Sequence, residues 1–280
     1  MKLTFGGVRG TNPVAQPEFM RYGGETTSFL IQGLAGEQIL VDAGTGVREL
    51  GRLLQVSTSP KRVLMLMTHY HLDHVVGLPS LGLIYSPEWT VEIAAPAHED
   101  VVVEATMSRI MDKPFWPLQV EDLKSRIRFM ALDRAPEAPL RYGGLEIRWC
   151  PLHHPGGCSA YRVDEPATGA SVVLATDVEW GSATDAERQT FVNLCIRPQP
   201  AGMLVMDAQY TSEEVARFKG WGHSTWQEAV AVAGSTGITR LLLTHHDPRR
   251  NDDALDALRA AVQTVMPTAD LARERLVVDL

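Results

Sequence analysis

Thr68-His69-Tyr70-His71-Leu72-Asp73-His74 follows directly on the apolar run Arg62-Val63-Leu64-Met65-Leu66-Met67. A short apolar run bounded by polar residues reads as a buried strand. This one stops abruptly in three imidazoles and a carboxylate within six positions. Nitrogen and oxygen donors at a strand end suit borderline divalent metals such as zinc. The alternative is a polar turn after a core strand. Only 9 histidines occur in the 280 residues, and chance seldom gathers three of them beside an aspartate in so short a stretch.

Further out, three more apolar runs end the same way. Residues 171–175 lead to Thr176-Asp177, Met203-Leu204-Val205-Met206 leads to Asp207, and residues 240–244 lead to His245-His246-Asp247-Pro248. Sites in α/β proteins gather in the loops beyond strand ends, so four such strands imply one common edge. The run at 145–152 enters His153-His154-Pro155-Gly156-Gly157, and Gly222-His223-Ser224-Thr225 opens a helix that runs through Ala233, with Ser224 or Thr225 as its N-cap. Every histidine except His98 lies in one of these stretches; His98 is expected on a surface helix.

The remaining pattern alternates strands and helices. A strand at 2–8 enters a Gly/Pro loop at 7–13, which lacks the lysine-serine ending of a phosphate-cradling loop. Residues 26–32 and 38–41 read as a hairpin. Asp42-Ala43-Gly44-Thr45-Gly46 then turns the chain into an amphipathic helix carrying Val47, Leu50, Leu53 and Leu54. Asp42 either caps that helix or supports a metal site from behind. Strands are expected at 91–96, 127–132 and 159–163, and helices at 97–111, 185–195 and 252–265. The loop Asp112-Lys113-Pro114-Phe115-Trp116-Pro117 is expected to plug the core, with the wall of a substrate cleft as the alternative.

Composition sets outer bounds. A chain 45% hydrophobic, with 23 Gly and 17 Pro, is long enough for a large core and reads as one α/β domain over 1–280. A net charge of -8 argues against a surface that attracts nucleic acid throughout, and leaves a local basic groove open. No apolar signal region begins the chain and no eighteen apolar residues run together, so a cytoplasmic protein with no membrane partner is expected. The 3 cysteines, Cys150, Cys158 and Cys195, form no CxxC pair and are expected to be buried thiols.

The run His69-x-His71-x-Asp73-His74 resembles the first metal motif of the metallo-β-lactamase-fold hydrolases. Later motifs follow in that family's order: His-Pro-Gly at His154, a strand-end aspartate at Asp177, His-Ser-Thr at His223 and Leu-Thr-His at His245. The opening Gly-Val-Arg-Gly-Thr and Arg21-Tyr22-Gly23-Gly24 are similar to the branch near ribonuclease Z and the phosphodiesterase-type hydrolases. The resemblance implies a four-layer αββα sandwich of two mixed sheets. It implies two divalent ions, zinc first with Mn²⁺ or Fe²⁺ as alternatives. His69, His71 and His154 would bind one, Asp73, His74 and His245 the other, and Asp177 would bridge them, with His153 and His246 as the ambiguous neighbours. It also implies that His223, with Asp207 behind it, protonates a leaving group, and that Asp73 belongs to the catalytic set. Two departures stand out. Asp177 takes the place of a cysteine found in the main subgroup of zinc β-lactamases, and Asp207 takes the place of a glutamate in ribonuclease Z, whose long basic arm for transfer RNA has no counterpart here.

Two metals about 3.5–4 Å apart make hydroxide available near pH 7 and clamp the oxygens of a phosphoryl displacement. The expected function is therefore hydrolysis of a small phosphodiester, such as a cyclic nucleotide. Hydrolysis of a thioester, lactone or β-lactam is the alternative, and a metal-stabilised binding or sensing protein is a third reading. A nucleic-acid substrate and a homodimer are left open.

Overall fold

The computed structural model describes residues 1–97, 102–134 and 136–280. The chain first lays down β1 (Lys2–Gly7), β2 (Ser28–Gln32), β3 (Gln38–Val41), α1 (Val47–Val56), β4 (Arg62–Leu66), the single-turn α2 (Leu72–Val75), β5 (Thr90–Pro96), α3 (Val103–Ile110) and β6 (Arg126–Leu132). It continues through β7 (Leu140–Tyr142), β8 (Leu145–Leu152), β9 (Cys158–Glu165), β10 (Ala170–Ala175), α4 (Asp185–Ile196), β11 (Met203–Asp207), α5 (Trp226–Thr236), β12 (Leu241–Thr244), α6 (Asp252–Val265), β13 (Ala269–Leu271) and β14 (Val277–Asp279). Two seven-stranded mixed sheets result, in the orders β14-β1-β2-β3-β4-β5-β6 and β13-β12-β11-β10-β9-β8-β7. Antiparallel hairpins build the start of each sheet, and parallel strands β3 to β6 and β10 to β13 carry the rest.

The layers follow from side-chain alternation along the strands. On β4, Leu64 and Leu66 pack between the sheets with Ile39, Tyr161, Val172 and Val205. Val63, Met65 and Met67 point the other way, onto Val47, Leu50 and Leu54 of α1. Both faces of β4 are covered, which is why its sequence is continuously apolar rather than alternating. On the second sheet, Val173, Ala175, Leu204, Met206 and Leu243 face Phe191 of α4, Val232 of α5 and Leu255 of α6. Helix, sheet, sheet, helix is the αββα sandwich. Truncating a side chain at its centre, such as Leu64→Ala, should cost about 2–5 kcal/mol.

Helix starts obey local chemistry. Thr184 and Thr225 form capping boxes with Glu187 and Glu228, and Asn251 caps α6. Thr225, not Ser224, is therefore the cap after His223. Asp42 does not cap α1: Gly46 holds that position, and Asp42 turns away with φ of 59°. Leu53, expected on the apolar face of α1, is 43% exposed. Val47, Leu50, Gly51 and Leu54 define the buried stripe, and at about 100° per residue Leu53 falls outside it. The three cysteines are buried thiols. His98 lies outside the described residues, as does part of the helix expected at 97–111. Among the described residues no helix is long and apolar enough to cross a membrane.

Candidate metal centre

The donors meet where the parallel strands of both sheets end. Beyond β4, Thr68 is anchored by Asp42, which accepts from its amide and its hydroxyl, both at 2.8 Å. Helix α2 then makes one turn. That geometry buries Asp73 and His74 on its inner side and leaves Leu72 74% exposed. From the second sheet come His154 just after β8, Asp177 just after β10, Asp207 ending β11 and His245 just after β12. His245 adopts the left-handed conformation, φ 59°, which swings its ring back over the site. The sheets are tied at this end: Ser159 N donates to Thr68 O at 3.0 Å and the Tyr161 hydroxyl to Met67 O at 2.7 Å.

Asp177 sits in the middle. Its Oδ1 is 3.1 Å from His74 Nε2, and its Oδ2 is 3.2 Å from His245 Nε2, 3.8 Å from His69 Nε2 and 4.0 Å from His154 Nε2. Asp73 Oδ2 lies 3.2 Å from His245 Nε2 and 3.4 Å from His74 Nε2. His71 Nδ1 and His154 Nε2 face each other at 3.0 Å. Donor atoms of His69, His71 and His154 lie within 4.8 Å of one another, and so do those of Asp73, His74 and His245, and those of His69, His74 and Asp177. The residues expected as ligands are thus brought together, and His223 lies among them, its donor atom grouping with those of His154 and Asp177 and with those of Asp207 and His245.

What lies behind each imidazole fixes which nitrogen faces inward. His74 Nδ1–H donates to Asp42 Oδ2 at 2.7 Å, His154 Nδ1–H to the Gly222 carbonyl at 2.8 Å, and His245 Nδ1–H to Gln209 Oε1 at 2.8 Å. Thr68 spends its hydroxyl proton on Asp42, so His69 Nδ1–H donates to Thr68 Oγ1 at 3.0 Å. In all four rings this leaves Nε2 as the nitrogen aimed at the centre. Gly222 is required here: its φ is 91°, and a Cβ would sit 2.2 Å from His154 Nδ1. Asp73 also accepts from Thr11 N at 2.8 Å.

The electrostatics are those of a buried anionic pocket. Burial would raise the carboxyls of Asp73 and Asp177, but the surrounding histidines outweigh it and hold both well below the usual carboxylate range. Burial alone would lower His74 and His245, yet Asp177 and its neighbouring carboxylates push His74 well up and His245 to about 9. Burial wins at His69, which is held far below its ordinary value, and at His154, lowered to about 4. Without a cation, protons on His74 and His245 carry the positive charge that the carboxylates require; a bound metal would displace them.

His69 Nε2 is fully buried with no hydrogen-bond partner among the described residues, and beside it the buried His74 Nε2 and Asp177 Oδ1 face only each other, at 3.1 Å. Buried polar atoms of a folded protein seldom go unpaired, and these three converge on one point. Nitrogen and carboxylate donors in such a cluster fit borderline divalent cations, so the residues present suit the metals that the sequence implies.

The ambiguous neighbours separate clearly. His246 turns away: its Nε2–H donates to Ala272 O at 2.7 Å, its ring meets Tyr22 edge-on, and burial lowers it to about 3. His153 is partly exposed and lies 3.4 Å from Glu187. His223 is buried beside Asp207, with Nδ1–H donating to Oδ2 at 2.9 Å, and its ring stacks on His245 at 4.7 Å. Asp207 is itself anchored by the amides of Gln209 and Val178. Asp42 takes the supporting role. Sequence reasoning did not find Gln209 or Thr11. Arg9 is structural: its buried guanidinium donates to the carbonyls of Gly23 and Arg250, each at 2.7 Å. In the loop expected as a plug, Trp116 packs partly on the core while Phe115 is 71% exposed. Both line a cavity of about 460 Å³ with Tyr70 and Leu72, so the loop packs partly on the core and partly walls a cavity.

Known proteins share this architecture. The chain is 26% identical to a ribonuclease BN of Cronobacter sakazakii, over 85% of this chain and 88% of that one. Among solved structures, the metallo-β-lactamase fold protein YhfI of Bacillus subtilis superposes with a TM-score of 0.71 at 22% identity, covering 99% of both chains. The short form of human tRNase Z gives 0.69 at 21% identity, covering 100% of this chain and 99% of that one. Residues 37–246 match the family described as the beta-lactamase superfamily domain, and with the αββα sandwich around the match, the chain belongs to that superfamily in its metallo-β-lactamase fold.

Proposed function

We propose that the protein is a two-metal hydrolase of phosphodiesters and that its substrate is a small diester such as a cyclic nucleotide. The observation that carries this is the convergence of the buried donor atoms of His69, His74 and Asp177 beside a carboxylate-backed imidazole, His223, which is not needed to complete either ligand set. The ribonuclease name of the relative from Cronobacter sakazakii supports phosphodiester chemistry.

His69, His71 and His154 would hold one ion, Asp73, His74 and His245 the other, and Asp177 both, with zinc as the metal and Mn²⁺ or Fe²⁺ as substitutes. Bound there, such ions supply Lewis acidity and a water acidic enough to ionise near pH 7. The chain supplies the rest. Asp42, the Gly222 carbonyl and Gln209 keep the ring nitrogens aimed. Asp207 accepts Nδ1–H of His223, so that the protonated ring carries its second proton on Nε2. As the phosphorus–oxygen bond to the departing alcohol breaks, that proton goes to the alkoxide.

Metal analysis of the purified protein, followed by a panel of bis-aryl phosphodiester, cyclic nucleotide, thioester, lactone and β-lactam substrates, tests the reading. Two metal equivalents and turnover of phosphodiesters are expected. Well under one equivalent in protein prepared without chelator, with no activity on adding Zn²⁺ or Mn²⁺, overturns it.

A further inference from the structure

A cavity of about 180 Å³ opens beside His223, lined by that residue with Glu179, Val215, Ala216, Lys219 and Glu228. Because His223 lines this cavity and is assigned to the departing oxygen, the cavity is placed to take the alcohol that leaves with that oxygen. What the cavity can bind follows from which of its polar atoms are already committed.

Glu179 is committed. One oxygen accepts from Gly220 N at 2.9 Å and from the Ser182 hydroxyl, and the other accepts from Gly222 N at 2.9 Å. This carboxylate therefore shapes the loop that presents His223. Glu228 uses only Oε2, which accepts from the amide and hydroxyl of Thr225 at 2.8 and 3.0 Å. Its Oε1 has no hydrogen-bond partner among the described residues, nor does the exposed ammonium of Lys219 have an ion-pair partner among them. The cavity thus offers an open acceptor and an open donor over the apolar wall of Val215 and Ala216. A hydroxyl satisfies both at once, since it donates one hydrogen bond and accepts others. A distal anion would face two carboxylates against one ammonium, and a plain alkyl group would use neither polar atom.

We propose that this cavity is the subsite for the departing alcohol and that it selects one bearing further hydroxyls, of the size and chemistry of a pentose, through Glu228 and Lys219. The assignment rests on the phosphodiesterase reading for its place in the reaction, but the binding itself can be measured without turnover.

Two measurements test it on the purified, metal-loaded protein. In equilibrium dialysis, uridine should be retained about tenfold better than 2′,3′-dideoxyuridine, the difference that about one net hydrogen bond makes. In kinetics, the methylphosphonate esters of the same two nucleosides, each with a single ester bond at the 5′ oxygen, should differ in kcat/KM in the same sense. Lys219→Met and Glu228→Gln should each bring both ratios toward one; glutamine still accepts from Thr225, so the helix start survives, which a thermal melt checks. Ala216→Trp should fill the cavity and abolish uridine retention. Equal retention of the two nucleosides, or ratios unmoved by both variants, overturns the subsite even if diesters are hydrolysed. Uridine retention without turnover of any phosphodiester, bis-p-nitrophenyl phosphate included, overturns the phosphodiesterase reading and with it the leaving-group role.

Discussion

The two sheets contribute to the centre in opposite ways. The first delivers His69, His71, Asp73 and His74 from one strand end and a single helical turn, whereas the second delivers His154, Asp177, Asp207, His223 and His245 from separate strand ends and loops spread over much of the chain. The first group is backed by a charge, the buried carboxylate of Asp42 behind His74 and, through Thr68, behind His69. On the second sheet the two histidines proposed as ligands, His154 and His245, are backed by neutral groups, the Gly222 carbonyl and the Gln209 amide. A compact motif can be positioned by one buried anion, while a dispersed one needs a separate partner at each strand end.

Asp177 is where the two halves join, and removing it should have the largest effect. Asp177→Ala leaves His69, His74 and His245 without their common carboxylate, so occupancy of at least one metal and all measurable hydrolysis should be lost. His246→Gln, one residue from a proposed ligand but turned toward Ala272, should keep both metals. Elemental analysis of the two variants decides; equal metal loss would mean that the division between inward and outward histidines is misplaced.

The same contrast governs what could be read from the sequence. The first sheet's donors were legible because they are contiguous and follow a continuously apolar strand. Those of the second sheet were legible only as a series of strand ends, put in order by resemblance to a family. Asp42 stayed open between cap and support because its partners Thr68 and His74 are 26 and 32 residues away; a local pattern cannot express that its backbone turns left-handed. Gln209 was missed for a like reason, since only the fold brings it beneath a ring 36 residues on. Strands β7, β13 and β14, of three residues each, are too short to show alternation.

His223 gives the next largest effect, and it separates a ligand from a proton donor on the second sheet. His223→Ala should keep both metals and lose activity by about 10²–10⁴-fold. The loss should be greatest for alkyl or nucleoside leaving groups and slight for nitrophenol, which departs without a proton. Asp207→Asn should give a smaller loss of the same kind, because the ring remains but its tautomer is no longer enforced. Metal loss in the His223 variant, or equal slowing of both leaving-group classes, would move this histidine into the ligand set.

The smallest effect tests the backing groups directly. Partners behind a ligating histidine are each worth about 10–100-fold in metal affinity, and a carboxylate raises the basicity of the ring more than a neutral amide does. Asp42→Asn should fall at the upper end of that range: the asparagine retains the shape but loses the charge shared by His74 and, through Thr68, by His69. Gln209→Leu should fall at the lower end. It leaves Nδ1–H of His245 buried without an acceptor, a penalty of about 1–3 kcal/mol, but Asp73 and Asp177 still face the ring at 3.2 Å and restrict how far it can turn. Competition of each variant with a zinc chelator gives the two affinities on one scale. A Gln209 variant that loses more affinity than the Asp42 variant would show that orientation, rather than charge, is what the backing groups supply, and the contrast between the sheets would then lie in geometry alone.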